Sequence, residues 1–256
     1  MLTFVICLLA GLGAGIGTGL SGLSAAAVIS PMLVTFLNFD PYEAVGIALA
    51  SDVLASAISA YTYGKHRNLD IKNGLAMLAA VLVFTAVGSF VASLVPSSTM
   101  GTFSVFMTFL LGVKFIVRPV MTTKERMLEK SARTRLWQSI ACGMLIGFIC
   151  GFVGAGGGMM MLLVLTSVLG YELKTAVGTS VFIMTFTAFT GALSHFVIDG
   201  GLPDLWALLI CVVFTLVGAR VAALFANRAS PRVMNRATGV VLTVLGAAMI
   251  IVRLIK

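Results

Sequence analysis

Three long stretches of the chain contain no Asp, Glu, Lys or Arg: Met1 to Phe39, Asn73 to Val113 and Leu136 to Tyr171. Such runs are too long and too apolar for a soluble core, and ~20 apolar residues in a helix span the ~30 Å hydrocarbon layer of a bilayer. Charged residues make up only 10% of the 256-residue chain and hydrophobic ones 59%, against roughly 25% charged in an ordinary soluble domain. A water-soluble globular protein is therefore excluded. The sequence predicts an all-α integral membrane protein with about eight to ten crossings and almost nothing left for an extramembrane domain.

Charges, Gly/Pro/Asn/Asp clusters and length divide the chain into ten apolar segments, at about 2–20, 22–38, 44–63, 74–95, 101–119, 138–153, 157–170, 175–196, 205–226 and 233–252. Five precede and five follow the one sizeable hydrophilic stretch, Met121 to Arg135. This predicts a first transmembrane repeat over 1–120, a linker over 121–137 and a second repeat over 138–256. Sliding the chain on itself by 132 places Gly11, Gly15, Gly19 and Gly22 on Gly143, Gly147, Gly151 and Gly154, and Ala44-Val45-Gly46 on Ala176-Val177-Gly178. An ordered series of this kind points to duplication. With an odd number of crossings per copy, the second copy lies inverted in the membrane, as in many secondary transporters.

The net charge of +8 would in a soluble chain suggest nucleic acid, but here it marks topology. Placing the linker in the cytoplasm puts Lys65, Arg67, Lys72, Arg118, Lys124, Arg126, Lys130, Arg133, Arg135, Lys174, Arg228, Arg232 and Arg236 inside, with Arg253 and Lys256 outside. Both termini are then extracytoplasmic, by the positive-inside rule. The apolar start lacks the basic n-region of a secretory signal and is expected to be retained.

Segment 22–38 is barely long enough to span and contains Pro31, while 138–170 is cut by Gly154-Ala155-Gly156-Gly157-Gly158. Both predict broken or re-entrant helices. Such breaks present free N–H groups and positive dipole ends to an anion, so the expected substrate-binding residues are Ser21, Gly22, Ser24, Gly154, Gly156, Gly157, Thr179 and Ser180. The glycines at four-residue spacing, Gly11, Gly15 and Gly19, also suit close helix packing. Asp52 is the one carboxylate inside an expected span, and an intramembrane carboxylate is a candidate proton carrier; hydrogen bonding to Ser51 or Ser56 in a structural role is the alternative. By the repeat it matches Met184, so its role is expected in one half alone. Arg220, inside its segment, is a candidate counter-charge for the anion, with snorkelling to the membrane surface as the alternative. His195 is a candidate for a proton path.

The four cysteines, Cys7, Cys142, Cys150 and Cys211, sit in apolar runs with no metal-ligand spacing, and no nucleophile triad or P-loop is present. Neither an enzyme, a metal site, a cofactor nor an ATP-driven pump is expected. A thiol redox protein using Cys142 and Cys150 and a non-transporting membrane subunit are the competing readings.

The segments GLGAGIGTGLSGLS and GFICGFVGAGGG, the AVG-led helices ending GKHRNLD and SHFVIDGG, and the closing VGARVAALFANR and VLGAAMI together resemble the TauE/SafE sulfite exporter family over essentially the whole chain. The resemblance implies an inner-membrane secondary transporter of small sulfur-containing anions, sulfite or organosulfonates, whose partners are the substrate, protons and the lipid bilayer, with no nucleic acid. The family's Thr-Ser pair maps onto Thr179 and Ser180. The first half departs from it with Ile47 and Ala48, and carries Ser51 and Asp52 a turn later, which predicts an asymmetric site.

Overall fold

The computed structural model describes residues 1–92, 109–110, 113–121, 132–153, 157–199 and 203–255, and among them there are helices and no strand. In chain order these are α1 (Leu2–Ser21), α2 (Ala26–Leu37), α3 (Pro41–Lys65), α4 (Ile71–Ala92), α5 (Ala132–Val153), α6 (Gly157–Ser167), α7 (Leu173–Asp199), α8 (Leu205–Arg228) and α9 (Pro231–Ile255). Most of the segment expected at 101–119 and most of the linker lie outside the described residues.

Local chemistry sets the ends. Asp40 caps α3, its Oδ1 accepting from the N–H of Tyr42 (2.9 Å) and Glu43 (3.3 Å), with Pro41 in the first helical position, where its missing N–H costs nothing. Asp70 and Asp204 do the same for α4 and α8, accepting from Asn73 N–H at 3.2 Å and Ala207 N–H at 3.0 Å. α3 and α5 run further than the apolar segments that predicted them, because charged residues can join a helix where it reaches water: Lys65 closes α3, and Arg133 and Arg135 lie in the first turn of α5.

Among the described residues, four stretches are long and apolar enough to cross a membrane: α1, α3, Leu173–Leu193 of α7, and α8. On α8 the usual layering is reversed. Leu209, Val213, Val217, Val221 and Phe225 are exposed at four-residue spacing, while Cys211, Thr215, Ala219, Ala223 and Ala226 are buried. Large apolar side chains outside and small ones inside fit a helix that faces lipid and packs through its small residues.

That packing is close enough to need glycine. α1 lies beside α8 in the same direction: a Cβ at Gly11 would stand 3.0 Å from the Cys211 carbonyl oxygen, and one at Gly15 would overlap that of Thr215. α5 lies beside α4 in the same way, a Cβ at Gly143 falling 2.8 Å from the Met77 carbonyl oxygen and one at Gly147 2.5 Å from that of Val81. α3 and α7 meet in opposite directions, with Leu49 against Gly191 and Tyr63 against Gly178. Each of these contacts joins one half of the chain to the other.

Candidate functional site

The chain breaks between α1 and α2. Gly22 takes the left-handed conformation (φ 64°) that an L side chain rarely adopts, and α2 then runs 12 residues, about 18 Å at 1.5 Å per residue, well short of the ~30 Å hydrocarbon layer. A helix end inside a membrane leaves carbonyls that lipid cannot satisfy, and here hydroxyls supply the donors. Ser21 Oγ donates to Gly17 O (2.6 Å), Tyr63 Oη to Gly19 O (2.9 Å), Thr238 Oγ1 to Leu20 O (3.2 Å) and Thr18 Oγ1 to Leu23 O (2.7 Å). Thr18 O accepts the Gly22 N–H at 2.9 Å. The break is thus held by side chains of α1, α3 and α9, and the hydroxyl of Ser21 is engaged with its own backbone.

Asp52, in the middle of α3 and 1% exposed, meets the beginning of α2. Ser24 Oγ donates to its Oδ2 at 2.7 Å and Ser56 Oγ to its Oδ1 at 2.8 Å, with the Ala25 N–H as a further donor. α2 has no capping side chain of its own, since its N-cap is Ala25. The α3 carboxyl takes that place, setting an acidic group against the positive end of α2.

Three further elements close on the same point. A Cβ at Gly22 would run into Ser180 Oγ of α7; one at Gly158, the second residue of α6, would overlap Gly22 O and lie 2.6 Å from Met184 Sδ and 3.1 Å from Ser24 N. Gly22, Ser24, Asp52 and Ser180 are therefore brought together, with Gly157 opening the helix alongside. Gly154 and Gly156 lie outside the described residues. Ser56, Gly158 and Met184 complete the cluster; Ser56 was signalled by its place one turn after Asp52, and Gly158 by the glycine run.

Thr179 and Ser180 part company, since adjacent residues on a helix point about 100° apart. Ser180 donates to Val177 O at 2.9 Å and faces Gly22, whereas Thr179 Oγ1 accepts the Asp70 N–H at 3.2 Å. Asp70 Oδ2 in turn accepts from Tyr171 Oη (2.9 Å) and Asn73 Nδ2 (2.7 Å). Beside this, Asn68 Nδ2 donates to Asn227 Oδ1 at 2.7 Å, and Lys174 Nζ to the carbonyls of Asn227 and Ala229 at 3.0 and 2.7 Å. The α3–α4 loop is thereby fastened to the start of α7 and the end of α8. Nothing in the sequence marked Tyr171 or Asp70 for this.

Arg220 is exposed on α8 and turned from the small-residue face that packs on α1, so it is not among the residues that converge. The His195 side chain is outside what is described. Cys142 and Cys150 lie on one unbroken helix, α5, eight positions and about 12 Å apart along its axis, too far for a disulfide within the chain.

A family model described as "Sulfite exporter TauE/SafE" matches residues 7–249. The probable membrane transporter protein YunE of Bacillus subtilis is 26% identical over 97% of this chain and 98% of its own. The probable membrane transporter protein MJ0441 of Methanocaldococcus jannaschii is 24% identical over 98% and 97%. A probable membrane transporter protein of Haemophilus influenzae is 29% identical over 79% and 78%.

Proposed function

Because the chain belongs to the sulfite exporter TauE/SafE family, we propose that it is a proton-coupled secondary transporter of a small sulfur-containing anion, sulfite or an organosulfonate. Its place is the cell membrane, with the linker in the cytoplasm and both termini outside. The observation that carries the reading is the cluster around Asp52: a buried carboxyl, the start of α2, Gly22, Ser24, Gly158 and Ser180 at one point. A small anion suits the positive end of such a helix start, and Gly154, Gly156, Gly157 and Thr179 complete the proposed binding residues beside Ser21.

In its charged form Asp52 opposes the anion by like charge. A proton on it removes that opposition, so proton and anion favour each other's binding through a single coupling free energy. We read the two halves as inverted five-segment repeats that alternate access around this point, with α2 and α6 as re-entrant arms. The matching contacts support this. Gly11 and Gly15 meet carbonyls of α8, and Gly143 and Gly147 meet those of α4. The glycines of these pairs are related by the repeat offset of 132, and the carbonyls they meet by 134.

The test is uptake into proteoliposomes of sulfite, thiosulfate, methanesulfonate and a carboxylate, each with and without a pH gradient. Uptake of a sulfur-containing anion that rises with the gradient is expected. No movement of any of these anions in either condition would contradict the reading.

A further inference from the structure

α3 carries more than the carboxyl. On the face that holds Asp52, Ser56 follows one turn on, then Ser59, Thr62 and, at the end of the helix, His66, positions 0, 4, 7, 10 and 14 of one helical surface. The face covers about 21 Å of axis. We propose that these side chains form the route by which the proton of Asp52 reaches the water beyond α3; the proposal rests on the transport reading above.

Ser59 is the telling member. It is fully buried, and its Oγ has no hydrogen-bond partner, although a buried hydroxyl is normally satisfied. Its neighbours on the face are spaced for one bridging water, since residues three or four apart on a helix stand about 5–6 Å apart at Cβ and a water joins polar groups over such a gap. Packing alone does not ask for hydroxyls here. At the α7 positions matching Ser56 and Ser59, Ala188 and Gly191 carry no hydroxyl, whereas Thr62 matches Ser194. The hydroxyls nearest the carboxyl therefore occur on the helix that carries it.

The exit is polarised by geometry. His66 Nδ1 lies 2.8 Å from Thr62 O, and a carbonyl only accepts, so Nδ1 carries the hydrogen and Nε2 of the neutral ring is free to take a proton. The ring is exposed. Along the route each hydroxyl takes one proton and passes on its own, so none is left charged: Asp52 Oδ1 gives its proton to Ser56 Oγ, whose original proton moves by way of water to Ser59 and Thr62 and on to His66 Nε2, which releases it to water. Rotation of the hydroxyls resets the chain, and Ser56 again donates to Asp52 as it does at 2.8 Å.

Few ionisable groups compete. The partners of Asp52 are Ser24, Ser56 and the Ala25 N–H, and α1 and α2 contain no Asp, Glu, Lys or Arg. On α3 itself Tyr63 is bound to Gly19 O, while Lys65, with Arg67 just beyond, stands at the exit. On α7 Lys174 is bound to two carbonyls and Asp199 ends the helix at the far side. On α8 Arg220 and Arg228 are exposed. Near the opposite end the Cys211 thiol of α8 donates to the Cys7 carbonyl oxygen of α1.

The experiment compares two rates in proteoliposomes, with radiolabelled sulfite and methanesulfonate as probes: uptake driven by a pH gradient, and exchange of internal for external anion at equal pH. Ser59→Ala is expected to slow the driven uptake roughly tenfold while exchange stays within about twofold. Ser59→Thr, which restores the hydroxyl, is expected to keep both. Driven uptake by Ser59→Ala at the wild-type rate would overturn the route, as would equal loss of both rates with no recovery in Ser59→Thr, which marks a structural role. If wild-type protein exchanges neither probe, the transport reading fails and the route with it. Exchange that persists while Ser59→Ala is indifferent removes the route alone.

Discussion

α3 and α7 cross the centre of the molecule in opposite directions, and the sequence offset of 132 lays one on the other. They share the AVG entry, Gly46 matching Gly178, and each packs on the other half of the chain. They differ in what they carry. Asp52, Ser56 and Ser59 on α3 correspond to Met184, Ala188 and Gly191 on α7. The Asp52 carboxyl holds the start of α2 through Ser24, whereas Met184 Sδ sits against Gly158 at the start of α6. The comparison teaches that the two helices share an entry and a packing role, while the carboxyl stands on α3 alone. Two similar arms converge on a point where one side presents an acid and the other a thioether.

The largest effect should come from breaking the framework on both sides at once. A Leu at Gly15 must push α1 off the Thr215 carbonyl, and a Leu at Gly147 must push α5 off that of Val81. Each is expected to cost about 3 kcal/mol or more, seen as loss of monodisperse protein on size-exclusion chromatography in detergent. If Gly147→Leu behaves as wild type while Gly15→Leu fails, the two halves are not packed alike.

The contrast at the centre comes next. Met184→Leu keeps volume and removes only the sulfur, so pH-driven uptake is expected to stay within about threefold. Ser24→Ala takes a donor from Asp52 and leaves α2 poorly held, and a loss of roughly tenfold is expected. A reversed order, with Met184 the more sensitive, would move the chemistry from α3 to α7.

Tyr171→Phe sharpens the comparison at the α3–α4 loop. It removes one hydrogen bond to the Asp70 carboxyl, 2.9 Å long and partly buried, which is worth about 1–3 kcal/mol. A lower thermal midpoint of the purified protein is expected, with anion exchange retained. An unchanged midpoint would mean that the loop is fastened by Asn68, Asn227 and Lys174 without it. The smallest effect is expected from Arg220→Gln. That side chain is exposed on α8, and the apparent affinity for sulfite should change by less than about twofold. A large loss would restore Arg220 as a counter-charge of the anion.

Much of this was legible in the sequence because the bilayer leaves few options. Charge-free runs fixed where helices lie, and the shortness of segment 22–38 marked a break, although Pro31, which also suggested one, lies inside α2. Asp52 stood out because nothing else in the apolar segment 44–63 is acidic. The residues that hold the break were not legible. Tyr63 and Thr238 reach Gly19 O and Leu20 O from 44 and 218 positions away, a pairing that only tertiary packing creates. The neighbours Thr179 and Ser180 read as one motif, yet the turn of the helix sends one to Asp70 and the other to Gly22. Arg220 looked significant because it lies within an apolar run. Hydropathy does not say which way a helix faces, and the small residues of α8 face inward while Arg220 does not.

The central claim is that Asp52 carries the proton that moves with the anion. The direct measurement is internal pH, followed with a trapped dye in proteoliposomes, as a sulfite gradient is imposed on wild type and on Asp52→Asn. The account predicts that sulfite movement through wild type shifts internal pH beyond the shift in protein-free vesicles, and that Asp52→Asn abolishes this excess. An equal excess proton flux with sulfite through both proteins would contradict it.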